Sequence, residues 1–132
     1  MISLDFHNRI PIYRQIQDSI IEMILLGVYP EGSQLPSVRS LAVELGTNPN
    51  TIQKAYQELE NQGVIVSVTG RGSFVQGQAA AREVLRRKAL SALEAAVREA
   101  SLAGLTREEM AAVLERASLP DVDDMEKEVR EP

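Results

Sequence analysis

One short stretch of the sequence carries polar side chains of the kinds that read the edges of DNA bases. Asparagine and glutamine amides can each bind adenine through two hydrogen bonds. If the stretch is helical, the apolar residues Ile52, Ala55 and Tyr56 lie on its opposite face. The stretch predicts a base-reading helix, but Asn48 could be only a helix cap and the other polar residues only a solvated face. Its polar residues are Asn48, Asn50, Thr51, Gln53 and Lys54.

Two arginines are further candidates for contact with nucleic acid. Arg71 lies between Gly70 and Gly72, and the flanking glycines would let the backbone approach a phosphate or a wall of the minor groove. An arginine at such a turn suits a narrow minor groove. Arg39 lies in the first turn of a predicted helix. The alternative is an ordinary surface cation for Arg39 and an ordinary turn residue for Arg71.

Other chemistries find little support in the sequence. The absence of cysteine excludes disulfides, thiolate metal sites and cysteine nucleophiles. His7 is the single histidine, so neither a histidine metal cluster nor a catalytic triad is expected. Glu108 and Glu109 fit helix capping better than acid–base catalysis. We therefore expect neither an enzyme nor a bound metal or cofactor.

The overall charge bears on the class of partner. The net charge is −5, and residues 1–77 hold five Lys or Arg against seven Asp or Glu. A DNA-binding domain is expected to be locally basic. The acidic balance therefore slightly favours a protein-interaction module, the alternative function, and DNA binding rests on where the few cations lie. The start of the chain does not have the pattern of a signal peptide, and no apolar stretch reaches membrane-spanning length, so a cytoplasmic protein with no membrane association is expected.

The base-reading stretch falls within a predicted helix-turn-helix. Apolar residues at helical spacing predict a first helix over residues 11–26. A second helix is predicted from its N-cap Ser37 to Gly46, and a third from Asn48 to Gly63. Two short helices joined by a tight glycine-containing turn are typical of the helix-turn-helix motif.

A predicted β-hairpin follows directly. Residues 64–68 are β-branched at every apolar position, residues 69–72 form a glycine-rich turn, and residues 73–75 begin a second strand. A hairpin directly after a helix-turn-helix is a wing, and Arg71 would lie at its tip.

The remaining chain predicts a dimerisation segment. Residues 79–102 favour a helix, and Thr106 with Glu109 forms a capping box that starts another. Two helices cannot both enclose a ligand pocket and bury their own apolar stripes, so we expect pairing with a second chain into a four-helix bundle and no built-in effector site. The apolar residues of the last helix are expected to face inward. The predicted dimer residues are Leu85, Ala89, Leu93, Ala96, Val97, Met110 and Leu114.

These features divide the chain into three predicted parts. Residues 1–77 form a winged helix-turn-helix domain, residues 78–118 a short helical hairpin, and residues 119–132 an acidic, disordered tail. The predicted fold class is mostly α with one small β-hairpin.

The motifs, at these spacings, resemble the GntR family of bacterial regulators over about residues 5–76. The short C-terminal part and the Asn-Pro-Asn-Thr opening of the third helix further resemble the YtrA-type subfamily. This resemblance implies a homodimeric repressor on a palindromic operator, and it places an arginine at position 39 against DNA. The matching segments are residues 11–16, 35–42, 45–59, 63 and 70–75.

One departure from the family pattern affects the expected base code. Many members carry arginines in the recognition helix where this chain has Pro49 and Gln53. Operator sequences of other members therefore do not transfer to this protein. The full set of predicted DNA-binding residues is Ser37, Arg39, Asn48, Asn50, Thr51, Gln53, Lys54, Arg71 and Gly72.

Overall fold

The computed structural model describes residues 2–118, which form five helices and one two-stranded antiparallel sheet. The predicted class, mostly helical with a small hairpin, is confirmed. The predicted acidic tail, residues 119–132, lies outside the described residues. The elements in chain order are α1 (Ile12–Leu25), α2 (Val38–Leu45), α3 (Pro49–Asn61), β1 (Ile65–Val68), β2 (Gly72–Val75), α4 (Gln78–Leu102) and α5 (Arg107–Ala117).

Local capping determines where α2 and α3 begin and where α2 ends. The Ser37 Oγ accepts a hydrogen bond from the backbone N–H of Ser40 at 3.0 Å. Gly46 ends α2 in the left-handed conformation with φ +64°, which a residue with a Cβ adopts only at a cost. Asn48 Oδ1 accepts from the N–H of Asn50 at 2.9 Å, and a proline occupies the first turn of α3. Both predicted helix starts are confirmed.

The core lies where α1 packs against α3. Ile16, Ile20 and Ile24 of α1 and Ile52 and Leu59 of α3 are at most 1% exposed. Burying a side chain of this size stabilises the fold by about 1.5–3 kcal/mol. This packing fixes which face of α3 is buried, and it leaves the opposite face exposed.

The hairpin is attached to this core at its base. Ile65 pairs with Val75 across the sheet, and both side chains are buried. The far end of the hairpin, where Val68 pairs with Gly72, is exposed. β1 begins one residue later and β2 one residue earlier than predicted.

A third segment runs along the other edge of β2. The Leu35 N–H donates to the Ser73 carbonyl at 2.8 Å, and the Val75 N–H donates to the Ser33 carbonyl at 2.9 Å. This pairing connects the hairpin to the chain just before α2. The hairpin is therefore held at its base by the core and along the outer edge of β2 by this segment.

The first part of α4 belongs to the same compact unit, which ends at Ala89. Ala81 is fully buried, and Lys88 forms an ion pair with Asp18 of α1. The Gln78 side-chain amide donates to the Ile24 carbonyl at 3.2 Å. The unit thus extends past residue 77, where the sequence analysis set the domain boundary.

The second unit begins at Leu90. α5 starts with the predicted capping box, in which Thr106 Oγ1 accepts from the Glu109 N–H at 3.1 Å. In the single chain the apolar residues of α5 are largely uncovered, since Leu114 is 62% exposed, Val113 is exposed and Met110 is half-buried. The expectation that they face inward in a bundle with a second chain stays a prediction. Among residues 2–118, no helix is long and apolar enough to cross a membrane.

Candidate nucleic-acid interface

The outer face of α3 presents the predicted base-reading residues. Asn50 and Gln53 are exposed, and Thr51 is half-buried at the side. Tyr56 and Ala55, on the opposite face, are at most 3% exposed. The helix therefore separates a buried apolar face from a polar face, as its sequence period predicts.

The Asn48 side chain caps α3, because its Oδ1 is hydrogen-bonded to the Asn50 N–H. Capping is one of the two roles that the sequence left open for Asn48. An N-cap contributes about 1 kcal/mol to helix stability. The cap needs only the oxygen of the amide, so it is compatible with a DNA contact through Nδ2.

The Lys54 side chain contacts α1, although position 54 lies one turn from Asn50 on the same exposed side of α3. Its Nζ lies 4.0 Å from the centre of the Tyr13 ring on α1, within range of a cation–π interaction. The positive charge is thus at the side of α3 that faces α1. The sequence placed Lys54 with the base-reading residues, and the structure adds this contact with Tyr13.

Gln57 was not among the predicted residues, although it is exposed on the same face as Gln53. Its side-chain amide donates to Asn61 Oδ1 at 3.1 Å. The signal was present in the sequence, since position 57 follows position 53 by four residues and so lies one turn further along the helix.

The acidic residues of α3 are engaged in internal hydrogen bonds. Glu58 Oε2 accepts from the Gln17 side-chain amide of α1 at 2.6 Å. The Glu60 carboxylate accepts from both the backbone N–H and the hydroxyl of Ser67 in β1, at 3.2 Å and 3.1 Å. These carboxylates are directed toward α1 and the hairpin. The acidic net charge of the domain is therefore not concentrated on the polar face of α3.

The start of α2 contributes an exposed cation beside a hydrogen-bonded turn. Arg39 is exposed in the first turn of α2, and Ser37 is used as the N-cap. The Tyr56 hydroxyl of α3 donates to the Pro36 carbonyl at 2.7 Å and so ties this turn to α3. Burial is the main cause that raises the pKa of Tyr56, with the nearby Tyr29 adding to it.

Arg71 lies at the exposed tip of the hairpin, as predicted. Its N–H donates to the Val68 carbonyl at 2.9 Å, which closes the turn. Its carbonyl accepts from the Gln34 side-chain amide at 2.8 Å. Gly72 follows with φ +118°, and a Cβ at this position would lie 2.7 Å from Gln34 Nε2. The tip backbone is thus fixed on both sides of Arg71, with the guanidinium exposed.

Comparisons with known proteins identify this arrangement. Residues 12–75, from α1 to the end of β2, match the family model of bacterial regulatory proteins of the gntR family. The chain is also 38% identical over 106 residues to YhcF of Bacillus subtilis (strain 168), an uncharacterised HTH-type transcriptional regulator, and this match covers 80% of the chain and 88% of YhcF. The chain belongs to the GntR family.

A second relative carries a more specific description. Over 79 residues, this GntR-family protein is 44% identical to the HTH-type transcriptional repressor YtrA of Bacillus subtilis (strain 168). That match covers 60% of the chain and 61% of YtrA, so the chain spans less than two thirds of the length of that relative. The resemblance to the YtrA type is confirmed.

Solved structures agree with this assignment. A GntR family transcriptional regulator from Listeria monocytogenes has a TM-score of 0.71 at 35% identity, covering 84% of this chain and 98% of that one. The DNA-binding domain of AraR, solved in complex with operator ORR3, has a TM-score of 0.50 at 32% identity, covering 55% of this chain and 88% of that one. The GntR-family protein is a transcriptional regulator with a DNA-binding domain, and its relatives are regulators rather than enzymes.

Proposed function

We propose that this regulator binds a palindromic operator as a homodimer and represses transcription, with α3 in the major groove and the hairpin as a wing. The observation that carries the proposal is the polar outer face of α3, which shares one compact unit with the exposed cations Arg39 and Arg71. A recognition helix presents its N-terminal residues to base edges. The similar AraR domain binds operator DNA, which supports the same mode here. Repression is supported by the similarity to YtrA.

The proposed contacts fall into two kinds. Asn50 and Gln53 read bases, since exposed amides on a helix face can bind adenine edges bidentately. Arg39 and Arg71 bind the phosphate backbone or the minor groove. The remaining predicted residues assist: Ser37 and Asn48 through the caps they provide, Thr51 and Lys54 from the sides of α3, and Gly72 through the close backbone approach it allows.

The proposed dimer forms through the C-terminal helices. Leu85 and Leu93 of α4 are 46% and 55% exposed, and Leu114 of α5 is exposed as well. Apolar side chains that recur at helical spacing and remain exposed in one chain are typical of a helix that packs on a partner. A two-fold symmetric pairing would bury the same surface on both chains. The other proposed contact residues are Ala89, Ala96, Val97 and Met110.

The proposed location and control follow from the same features. A regulator that binds chromosomal DNA acts in the cytoplasm of a bacterial cell. Two C-terminal helices offer little volume for a metabolite, so we propose that no small-molecule effector binds within this chain. Thermal-shift screening against sugars, organic acids and nucleotides should show no specific stabilisation, and a ligand with micromolar affinity would contradict the proposal.

The proposed function is tested by fluorescence anisotropy with a labelled duplex from the region upstream of the protein's own operon. Specific binding should exceed binding to a scrambled duplex by roughly 10³-fold or more, and it should weaken as salt rises because phosphate contacts release counterions. Equal binding to both duplexes, or binding to neither, would contradict the proposal and favour a protein-interaction module.

A further inference from the structure

Gln34 is an exposed side chain on the segment that precedes α2, and it contacts the tip of the hairpin far along the chain. Its Nε2 donates to the Arg71 carbonyl at 2.8 Å, and its backbone forms an isolated β-bridge with Phe74 of β2. The two neighbouring backbone hydrogen bonds, from Leu35 to Ser73 and from Val75 to Ser33, fix the register of this bridge. The backbone of Gln34 is therefore fixed, and its side chain is fixed by the hydrogen bond to Arg71.

The contact completes the hydrogen bonding of one residue in particular. The Arg71 N–H is bound to the Val68 carbonyl, and the Arg71 carbonyl is bound to Gln34. With both flanking peptide groups fixed, the Cα–Cβ bond of Arg71 has a set direction. A side chain whose base is fixed loses less conformational freedom on binding than one on a mobile turn.

The backbone at Gly72 also shows how closely the Gln34 side chain packs against the hairpin tip. A Cβ at Gly72 would lie 2.7 Å from Gln34 Nε2, closer than real contacts allow. The backbone of Gly72 has φ +118°, a conformation that L-residues rarely adopt. The side-chain amide of Gln34 thus lies directly against the backbone of the tip, and a Cβ at position 72 would displace it.

We infer that Gln34 is a positioning residue, which sets the direction of Arg71 for its contact with DNA without binding DNA itself. The inference rests on the proposed function, since it assigns a cause to the placement of a proposed DNA contact. The inference also gives a role to the pairing of this segment with β2. The same segment leads directly into Ser37 and Arg39, so the positions of Arg39 and Arg71 are fixed relative to each other.

The inference is tested with a double-mutant cycle on operator affinity. Gln34→Met keeps the approximate size of the side chain but cannot donate, and it should weaken operator binding roughly 2- to 10-fold, the range expected for one lost hydrogen bond. In an Arg71→Ala background, the same change should alter affinity by less than about 2-fold, because nothing remains to be positioned. Gln62→Ala, an exposed glutamine at the end of α3, is the matched control and should bind as the unmodified protein does.

A second readout needs no DNA. Loss of the Gln34 contact should loosen the tip, so the Arg71 amide, which is bonded to Val68, should exchange with solvent faster in Gln34→Met than in the unmodified protein. The melting temperature should stay nearly the same, because Gln34 is exposed.

The outcomes separate the inference from the proposed function. If Arg71→Ala weakens binding while Gln34→Met does not, or if the two losses simply add, Gln34 does not position Arg71 and the inference is wrong. An unchanged exchange rate of the Arg71 amide would overturn it as well. If the unmodified protein shows no preference for the operator, the proposed function fails first and the inference fails with it.

Discussion

Asn50 and Gln53 differ from Arg39 and Arg71 in what they can contribute to binding. Exposed amides can discriminate bases, because each presents a donor and an acceptor in a fixed spacing. Guanidinium groups bind backbone phosphates whatever the base sequence, and these contacts make the affinity depend on salt. In the proposed interface, specificity and affinity therefore depend on different residues, and substitutions should separate the two.

Replacing Asn50 or Gln53 with alanine should relax the preference at one base pair, by about 1–3 kcal/mol if the contact is bidentate. Replacing Arg39 or Arg71 with alanine should instead weaken binding to all duplexes and lower the salt slope by about one unit per lost phosphate contact. Anisotropy titrations at several salt concentrations, on the operator and on single-base variants, measure both effects. Unchanged binding in all four variants would contradict the proposed interface.

Tyr56 links α3 to the turn before α2, and two results are expected for Tyr56→Phe. Near neutral pH the loss of the hydrogen bond to Pro36 should lower the free energy of unfolding by about 0.5–1.5 kcal/mol. The second result concerns alkaline pH. Burial raises the pKa of Tyr56 above its ordinary value of 10.0, so above that pH the folded state retains a proton that the unfolded state has lost.

The stability of the unmodified protein should therefore be unaffected by Tyr56 ionisation well below pH 10 and should fall as the pH rises past about 10. In Tyr56→Phe this decline should be smaller, although not absent, because burial and Glu44 also raise the pKa of Tyr29. Urea denaturation from pH 8 to 11 measures the slope. Equal slopes for the two proteins would show that Tyr56 is not buried in this way.

At the scale of elements, α3 is held by contacts with each of its neighbours. Ile52 and Leu59 pack into the core, and Glu58 accepts from Gln17 of α1. The turn before α2 accepts from Tyr56, and the hairpin donates to Glu60. Because α3 is fixed on three sides, its exposed fourth side has little freedom to move. Less conformational entropy is therefore lost when this side binds DNA.

The turn between α2 and α3 gives a clean test at this scale. A Cβ added at Gly46 meets nothing within 4 Å, so any cost comes only from its left-handed backbone. Gly46→Ala should lower the free energy of unfolding by about 1–2 kcal/mol, and Gly46→Asn by less, because asparagine tolerates this conformation. Chemical denaturation with both variants measures the order.

Gly77→Ala is the matched control for this test. Its Cβ would meet only the Glu31 side chain at an ordinary 3.6 Å, and its φ lies outside the left-handed range. A Gly→Ala change without strain is neutral or slightly stabilising. A loss of stability at Gly77 equal to that at Gly46 would contradict the backbone explanation.

At the scale of the whole molecule, the proposed dimer decides how two recognition helices meet one operator. A two-fold dimer presents them to half-sites about 34–36 Å apart, one turn of DNA. A monomer would contact a single half-site and would lose most of the operator affinity. In the proposed dimer, the exposed apolar residues of α4 and α5 would form the contact surface.

Leu93→Asp would place a charge in the proposed seam and should yield folded monomers with much weaker operator binding. Ser91→Asp adds the same charge about half a turn away on α4 and is expected to remain dimeric. Sedimentation equilibrium measures the assembly, and circular dichroism checks the fold. A Leu93→Asp protein that is folded and still dimeric would show that the dimer contact lies elsewhere.

Deleting residues 121–132 should change neither dimerisation nor operator binding. This segment carries six Asp or Glu against two Lys or Arg, so it offers little to either the DNA or an apolar seam. Gel filtration and anisotropy on the shortened protein measure both properties. A large gain in affinity after deletion would instead indicate that the acidic segment competes with DNA.

The sequence alone determined the elements and their caps. Ser37, Asn48 and Thr106 each bond to a backbone N–H two or three residues further on, so a local pattern is enough to predict where these helices start. The alternation of apolar and polar residues likewise predicted which face of α3 is buried. The family resemblance followed from the same motifs and spacings.

The tertiary structure decided the contacts between distant residues. Gln34 meets Arg71 and Lys54 meets Tyr13, and nothing in the local pattern of either partner predicts these pairs. Each pair depends on how α1, α3 and the hairpin pack, which is set by the burial of aliphatic side chains far along the chain. For the same reason the sequence could not predict how much of α5 one chain would leave exposed, since a periodic pattern identifies an apolar stripe but not what covers it.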